Sequence, residues 1–226
     1  MTPLTFQLED CWAKTYPSTH DHEGKPALKV STHCLIVGLV TCQILKHLPA
    51  KTRNLFPEGT NTLIAAHDIG KLSPGFQLKC INWPPRDVVF AATQHNRLEK
   101  NHASISQSHL QQSLKNPKSS LWLTSTGGHH GSYHFGYKSR ITPSNEGGNE
   151  SFIPLRTELL NQLISEFGPL PESPASKTDK HLVHLLTGLT IFADWLGSNV
   201  DWFPLGWNQT IARVQISLRT EQILND

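Results

Sequence analysis

No stretch of the 226 residues approaches 18 consecutive apolar side chains, so nothing in the sequence is expected to span a membrane. The opening MTPLTFQLED lacks the basic, apolar pattern of a secretion leader, which makes the cytoplasm the expected compartment. Cysteine is scarce. Cys11, Cys34, Cys42 and Cys80 form no CxxC pair and read as reduced, small apolar residues rather than as a zinc site or a disulfide framework. Charged residues make up only 17 %, and the net charge of +2 is too small to argue for nucleic acid. Its distribution is uneven: residues 1–140 hold 15 Lys and Arg against 8 Asp and Glu, and residues 141–226 hold 5 against 10. That asymmetry permits a basic face without requiring one. No GxxxxGK[ST] loop occurs, so this chain is expected to hydrolyse no ATP by itself. Strand alternation and internal repeats are also missing.

Present in quantity are six Trp, nine Phe and many Leu and Ile, enough for a real core, together with 13 histidines. The apolar spacing is mostly helical. Residues 28–48 form a long helix stopped by Pro49. Residues 61–69 form a short one, with Asn61 or Thr62 capping its start and Gly70 its end. Pro74 opens a turn running to about Ile81, and Pro84-Pro85 breaks again. One or two helices lie in 86–114, the longer from Leu98 to Leu114. The segment 121–136 begins as a helix end and becomes a glycine-punctuated loop, and 136–154 reads as a long mobile loop. Residues 155–167 are amphipathic. Residues 180–196 are apolar nearly all round, hence a buried helix, and 207–224 form a last, weaker one. The expectation is an all-α fold of one domain, residues 1–226.

Three motifs carry chemistry. In HDIGK (67–71), His67 and Asp68 sit at the end of an apolar helix, where neighbouring side chains can reach one point, and imidazole plus carboxylate is a ligand pair for a borderline metal. Lys71, just past the turn, suits a phosphate oxygen. In GGHHG (127–131), glycines on both sides allow close backbone approach and let His129 and His130 aim inward; a solvated polar loop is the plain alternative. In FADWLGSN (192–199), Asp194 lies in the most apolar helix, where a carboxylate needs a cation or another partner. His33, among apolar neighbours, reads singly as a core histidine. His95, His102 and His109 recur every seven residues, and the spacing does not say which of them, if any, is a ligand. His20, His22, His47, His134, His181 and His184 have no motif around them.

The ordered series His33, His67-Asp68, His102, His129-His130, Asp194 resembles the HD phosphohydrolase superfamily. More narrowly, HDIGK, GGHHG, ADWLGSN and the opening WAKT resemble the HD nuclease domain of the CRISPR-associated nuclease–helicase of type I systems, over nearly the whole chain. The resemblance implies a helical bundle of the HD-domain type with a metal centre in a surface cleft. It implies cleavage of single-stranded DNA delivered by the guide-RNA surveillance complex, Cascade, that displaces a strand. The helicase that follows in most members is not present in this sequence, and would act in cis or in trans. On this basis Asp68 bridges two divalent ions, with His33, His67 and Asp194 on the first and His102, His129 and His130 on the second. Five imidazoles among seven ligands favour Mn, Fe, Co or Ni over Mg, with zinc open and Mg serviceable in activity assays. Lys71 would stabilise the transition state electrostatically. Trp83, Tyr133 and Phe135 are candidates for stacking bases at the rim, with burial in the core the plainer fate of Trp83. The alternative within the superfamily is a phosphohydrolase of nucleotides or cyclic dinucleotides, with 136–154 as a lid.

Overall fold

The apolar repeat of 28–48 folds as helix α1, Val30–His47, in a computed structural model that describes residues 6–93, 98, 101–131, 149–175 and 179–225. The helix starts two residues later than expected because Pro26–Lys29 pairs as strand β2 with β1, Trp12–Thr15. This antiparallel ribbon was not legible in the sequence. Each strand is four residues long and the register is irregular, with Trp12 opposite Lys29 and Lys14 opposite Leu28, too short and uneven for a period-two pattern. The other regular elements of the described chain are all helices, and the all-α expectation holds.

α1 is the central element. It packs against α3 (Thr60–Ala65), α8 (Ile153–Phe167), α9 (Lys180–Gly197) and α10 (Gln209–Asn225). By length and mean composition α1 passes the test for a membrane-crossing helix, as a core helix also does, and 72 % of it is buried inside the fold. α2 (Ala50–Arg53), α4 (Pro74–Gln77) and α5 (Arg86–Thr93) are short connecting helices, and Pro74 opens α4 as expected.

α3 begins at Thr60, not at a capping Asn61 or Thr62, because Gly59 at φ +85° is its N-cap. It runs on as a 3-10 turn, Ala66–Lys71, which packs against α6 (His102–Ser113). α6 starts later than Leu98 because the Asn101 side chain caps it, accepting from the N–H groups of Ala103 and Ser104. The segment expected as a glycine loop contains α7, Thr124–Gly128, so the glycine pair of GGHHG ends a helix. α8 places Arg156 in the core, where its Nη1 donates to the Leu72 carbonyl at 2.6 Å and ties this helix to the end of the 3-10 turn.

α9 is not buried all round. Val183, Leu186, Leu189 and Ala193 face inward, while Leu185, Phe192 and Trp195 are exposed, Trp195 at 71 %. Trp83 is core, 2 % exposed with its Nε1 donating to the Asp10 carbonyl, so it offers no face to a base. Tyr133, Phe135, His134, His95 and most of the expected 136–154 loop lie outside the described residues. The four cysteines are free thiols.

Candidate metal centre

Five separate stretches of chain bring their polar side chains to one place. α1 supplies His33, the 3-10 turn His67, Asp68 and Lys71, α6 His102, the end of α7 His129 and His130, and α9 Asp194. Two close packings make this convergence possible. A Cβ on Gly70 would stand 2.0 Å from the His102 carbonyl oxygen, and one on Gly127 would stand 1.8 Å from Gln107 Oε1. Glycine at these positions lets the 3-10 turn and α7 close onto α6, and the Gly70 N–H then donates to Ser106 Oγ at 2.9 Å.

Asp68 is the hub. Its Oδ2 lies 3.0 Å from His33 Nε2, 3.3 Å from His67 Nε2 and 2.7 Å from Lys71 Nζ. Its Oδ1 lies 3.1 Å from His102 Nε2 and 3.5 Å from His129 Nε2. Asp194 Oδ1 stands 3.4 Å from both His33 and His67, and His130 Nε2 stands 2.9 Å from His102 Nε2. The groups fall into two sets within coordination reach: His33, His67, Asp68 and Asp194, and then His102, His129 and His130. His109, in step with His102 on the heptad spacing, belongs to neither set.

The residues fit a metal. Ligand atoms around an ion with bonds of about 2.1 Å stand roughly 3.0–3.5 Å apart, the separations found here. His67 Nε2, Asp68 Oδ1 and His129 Nε2 are buried without a well-formed hydrogen bond. Such orphans are costly unless a cation engages them. The Nδ1–H groups of His67 and His129 donate to the Ile64 and Thr126 carbonyls, which turns both Nε2 lone pairs inward. Burial alone would raise the Asp68 pKa, but the charges of His67 and Lys71, with His102 and His129 beside it, hold the carboxyl well below its usual range. At Asp194 burial is likewise outweighed, first by His67 and then by His33. Burial lowers the His102 pKa, and burial together with the neighbouring His129 and His102 pushes His130 down to about 4. At His67 burial is outweighed by the charges of Asp68 and Asp194, which raise its pKa to about 10, so a metal bound there displaces a proton, whereas His102 and His130 are already neutral.

The floor of the site, His33, His67, Asp68 and His129, is closed to solvent, while Lys71, His102, Asp194 and His130 reach it. One cation at the edge was missed in the sequence. Lys14 of β1 is half-buried, and its Nζ donates to the Ser198 carbonyl at 2.9 Å. Burial first, and then the charge of Lys71, lower its pKa to about 8, with Asp194 and Asp68 acting in the opposite sense. The only sequence signal for it was its place in WAKT.

The family model described as "Cas3, HD domain" matches residues 12–203. Among solved structures, a CRISPR-associated protein superposes with a TM-score of 0.72 at 24 % identity, covering 99 % of this chain and 27 % of its own. A Thermus thermophilus Cas3 HD domain, crystallised in the presence of Ni2+, gives 0.64 at 21 % identity and covers 96 % and 88 %. A chain of a CRISPR RNA-guided surveillance complex in a pre-nicking state gives 0.69 at 18 % identity, over 97 % and 29 %. The present chain therefore spans about a quarter of the first and last of these relatives. No protein of curated function matched in sequence.

Proposed function

Since the chain belongs to the Cas3 HD-domain family, we propose that residues 1–226 form one nuclease unit that cuts single-stranded DNA with divalent metal in type I CRISPR interference. The observation that carries this reading is the placement of Asp68, one carboxylate oxygen facing His33 and His67 and the other facing His102 and His129. Asp68 would bridge two ions, with His33, His67 and Asp194 completing the first set and His102, His129 and His130 the second. Divalent ions held there would lower the pKa of a water and neutralise charge on the phosphate oxygens. Imidazole-rich donors favour Mn, Fe, Co or Ni, and the Ni2+ present with the Thermus relative agrees with that preference.

The protein's own groups set the remaining conditions. The backbone carbonyls of Ile64 and Thr126 fix the orientation of the His67 and His129 rings. Lys71 holds Asp68 Oδ2 and reaches solvent, placing a cation where a phosphate oxygen enters. A recessed floor with a small polar rim admits one flexible strand more readily than a stiff duplex, and contacts to backbone alone impose little sequence preference. One longer relative is a chain of a surveillance complex, which supports delivery of the strand by such a complex. A helicase in cis or in trans and a cytoplasmic setting belong to the same reading through the family resemblance.

The test is Asp68→Ala. We expect cleavage of circular single-stranded DNA in Mn2+ to fall by about 100- to 1,000-fold, as losing a central electrostatic group does, with the helical circular dichroism unchanged. Retained cutting overturns the assignment. Turnover of mononucleotides or cyclic dinucleotides in place of DNA by the unaltered protein would shift the reading to a small-molecule phosphohydrolase.

A further inference from the structure

WAKT is the segment of the sequence that the metal site leaves unused. Its strand is fixed against the site by one buried amide. Gln77 Oε1 accepts from the Trp12 N–H at 3.1 Å, and Gln77 Nε2 donates both to the Trp12 carbonyl and to the Lys71 carbonyl, each at 2.9 Å. The Trp12 indole N–H adds a bond to the Gln77 carbonyl at 3.1 Å. Trp12 and Lys71 are thereby locked in register, and Lys14 follows two residues after Trp12. At its far end the Lys14 side chain reaches Ser198, the residue that closes α9, whose Oγ donates to Asp194 Oδ1 at 3.0 Å.

Lys14 is thus drawn in beside the carboxylates without being paired to either. Its hydrogen-bond acceptor among the described residues is a neutral carbonyl, whereas Lys71 holds Asp68 Oδ2 at 2.7 Å. An ammonium has three donors, and Lys14 commits one of them. Capping the end of α9 suits a cation but occupies only one of its donors and leaves the other two uncommitted. A half-buried charge with uncommitted donors, next to a site built for phosphate chemistry, is placed for an anion.

We propose that Lys14 is a second cationic residue that contacts substrate, donating to a non-bridging oxygen of the phosphodiester while Lys71 holds Asp68. This rests on the nuclease reading above. The pair would explain why one amide ties the WAKT backbone to the HDIGK turn: the distance between two phosphate-facing cations has to be fixed.

The test compares Lys14→Gln, which keeps a donor for Ser198 and loses the charge, with Lys14→Arg. For single-stranded DNA in Mn2+, we expect kcat/KM of Lys14→Gln to fall about tenfold, as loss of one charge-assisted hydrogen bond does. We also expect its logarithmic salt dependence to become shallower by about 0.7, the value of one lost contact to a single strand. Lys14→Arg should retain most of both, and the metal content of all three proteins should be equal. Wild-type kcat/KM and salt dependence in Lys14→Gln, or a loss that tracks metal content, overturns the proposal. A second measurement needs no variant. Reductive methylation of the wild-type chain, read by peptide mass spectrometry, should modify Lys14 in the free protein and less so with a single-stranded oligonucleotide bound. Equal modification in both states overturns the proposal. A wild-type chain that cuts no DNA overturns the nuclease reading itself, whereas an active wild type with an indistinguishable Lys14→Gln removes Lys14 alone.

Discussion

His109 is buried, with neither ring nitrogen in a well-formed hydrogen bond, and its pKa is pushed down to about 4 by burial and then by the charge of Arg156. It stays neutral in the folded chain at pH values where an unfolded chain, with an ordinary histidine pKa near 6.5, takes up a proton. Between about pH 6.5 and 4 the unfolded state therefore binds more protons, and stability falls as pH falls through that window. The full effect is about 3 kcal/mol, reached near pH 4 and constant below it. The stabilities of His109→Gln and wild type in thermal melts should run parallel above about pH 7, with the wild type losing more between about pH 6.5 and 4. Superimposable pH profiles would show that His109 is not held neutral by the fold. At the same scale the sequence was legible in part. HDIGK, GGHHG and ADWLGSN named five of the seven side chains that the structure brings together, because ligand chemistry is a property of residue type, while His33 and His102 came only from the family resemblance. The heptad spacing of His95, His102 and His109 could not separate a residue of the cluster from a buried one. The difference lies in what packs on each face of α6, the 3-10 turn on His102 and Arg156 near His109.

Among the elements, α9 shows where pattern reading stops. Its composition is apolar on every side, and only packing tells the faces apart. Leu186 is fully buried and its neighbour Leu185 is 41 % exposed. Leu186→Ala should cost about 2–5 kcal/mol in urea unfolding and Leu185→Ala less than about 1 kcal/mol. Equal costs would mean that the exposed stripe of Leu185, Phe192 and Trp195 is covered in solution. The helices with strong apolar spacing, α1 and α8, were read within two residues of their ends, since burial of one face is written into the spacing. The β1–β2 ribbon and the short helix before His129 were not, since four- and five-residue elements are held by partners distant in sequence.

For the whole molecule, the site joins α1, the 3-10 turn, α6, α7 and α9, so an ion binding there binds the folded chain and not the unfolded one. At a hundredfold excess over its Kd, one ion adds about 2.7 kcal/mol, and for a chain of this length that is roughly 5–10 °C in Tm. Mn2+ or Ni2+ should raise the Tm of the wild type by that amount, a chelator should reverse it, and Asp68→Ala should abolish it. An unchanged Tm with either ion would argue against a metal centre that spans these elements.

The sequence by itself determined the helical class through periodicity and the family through the order of its motifs, and it offered most of the candidate donors, because residue chemistry is a local property. Tertiary structure alone decided which oxygen of Asp68 faces which histidines, and that Lys14 reaches Ser198 across 184 positions of chain. Those are facts of distance between segments far apart in sequence. They are fixed by close packing at Gly70 and Gly127 and by the Gln77 amide, and no pattern along the chain records them.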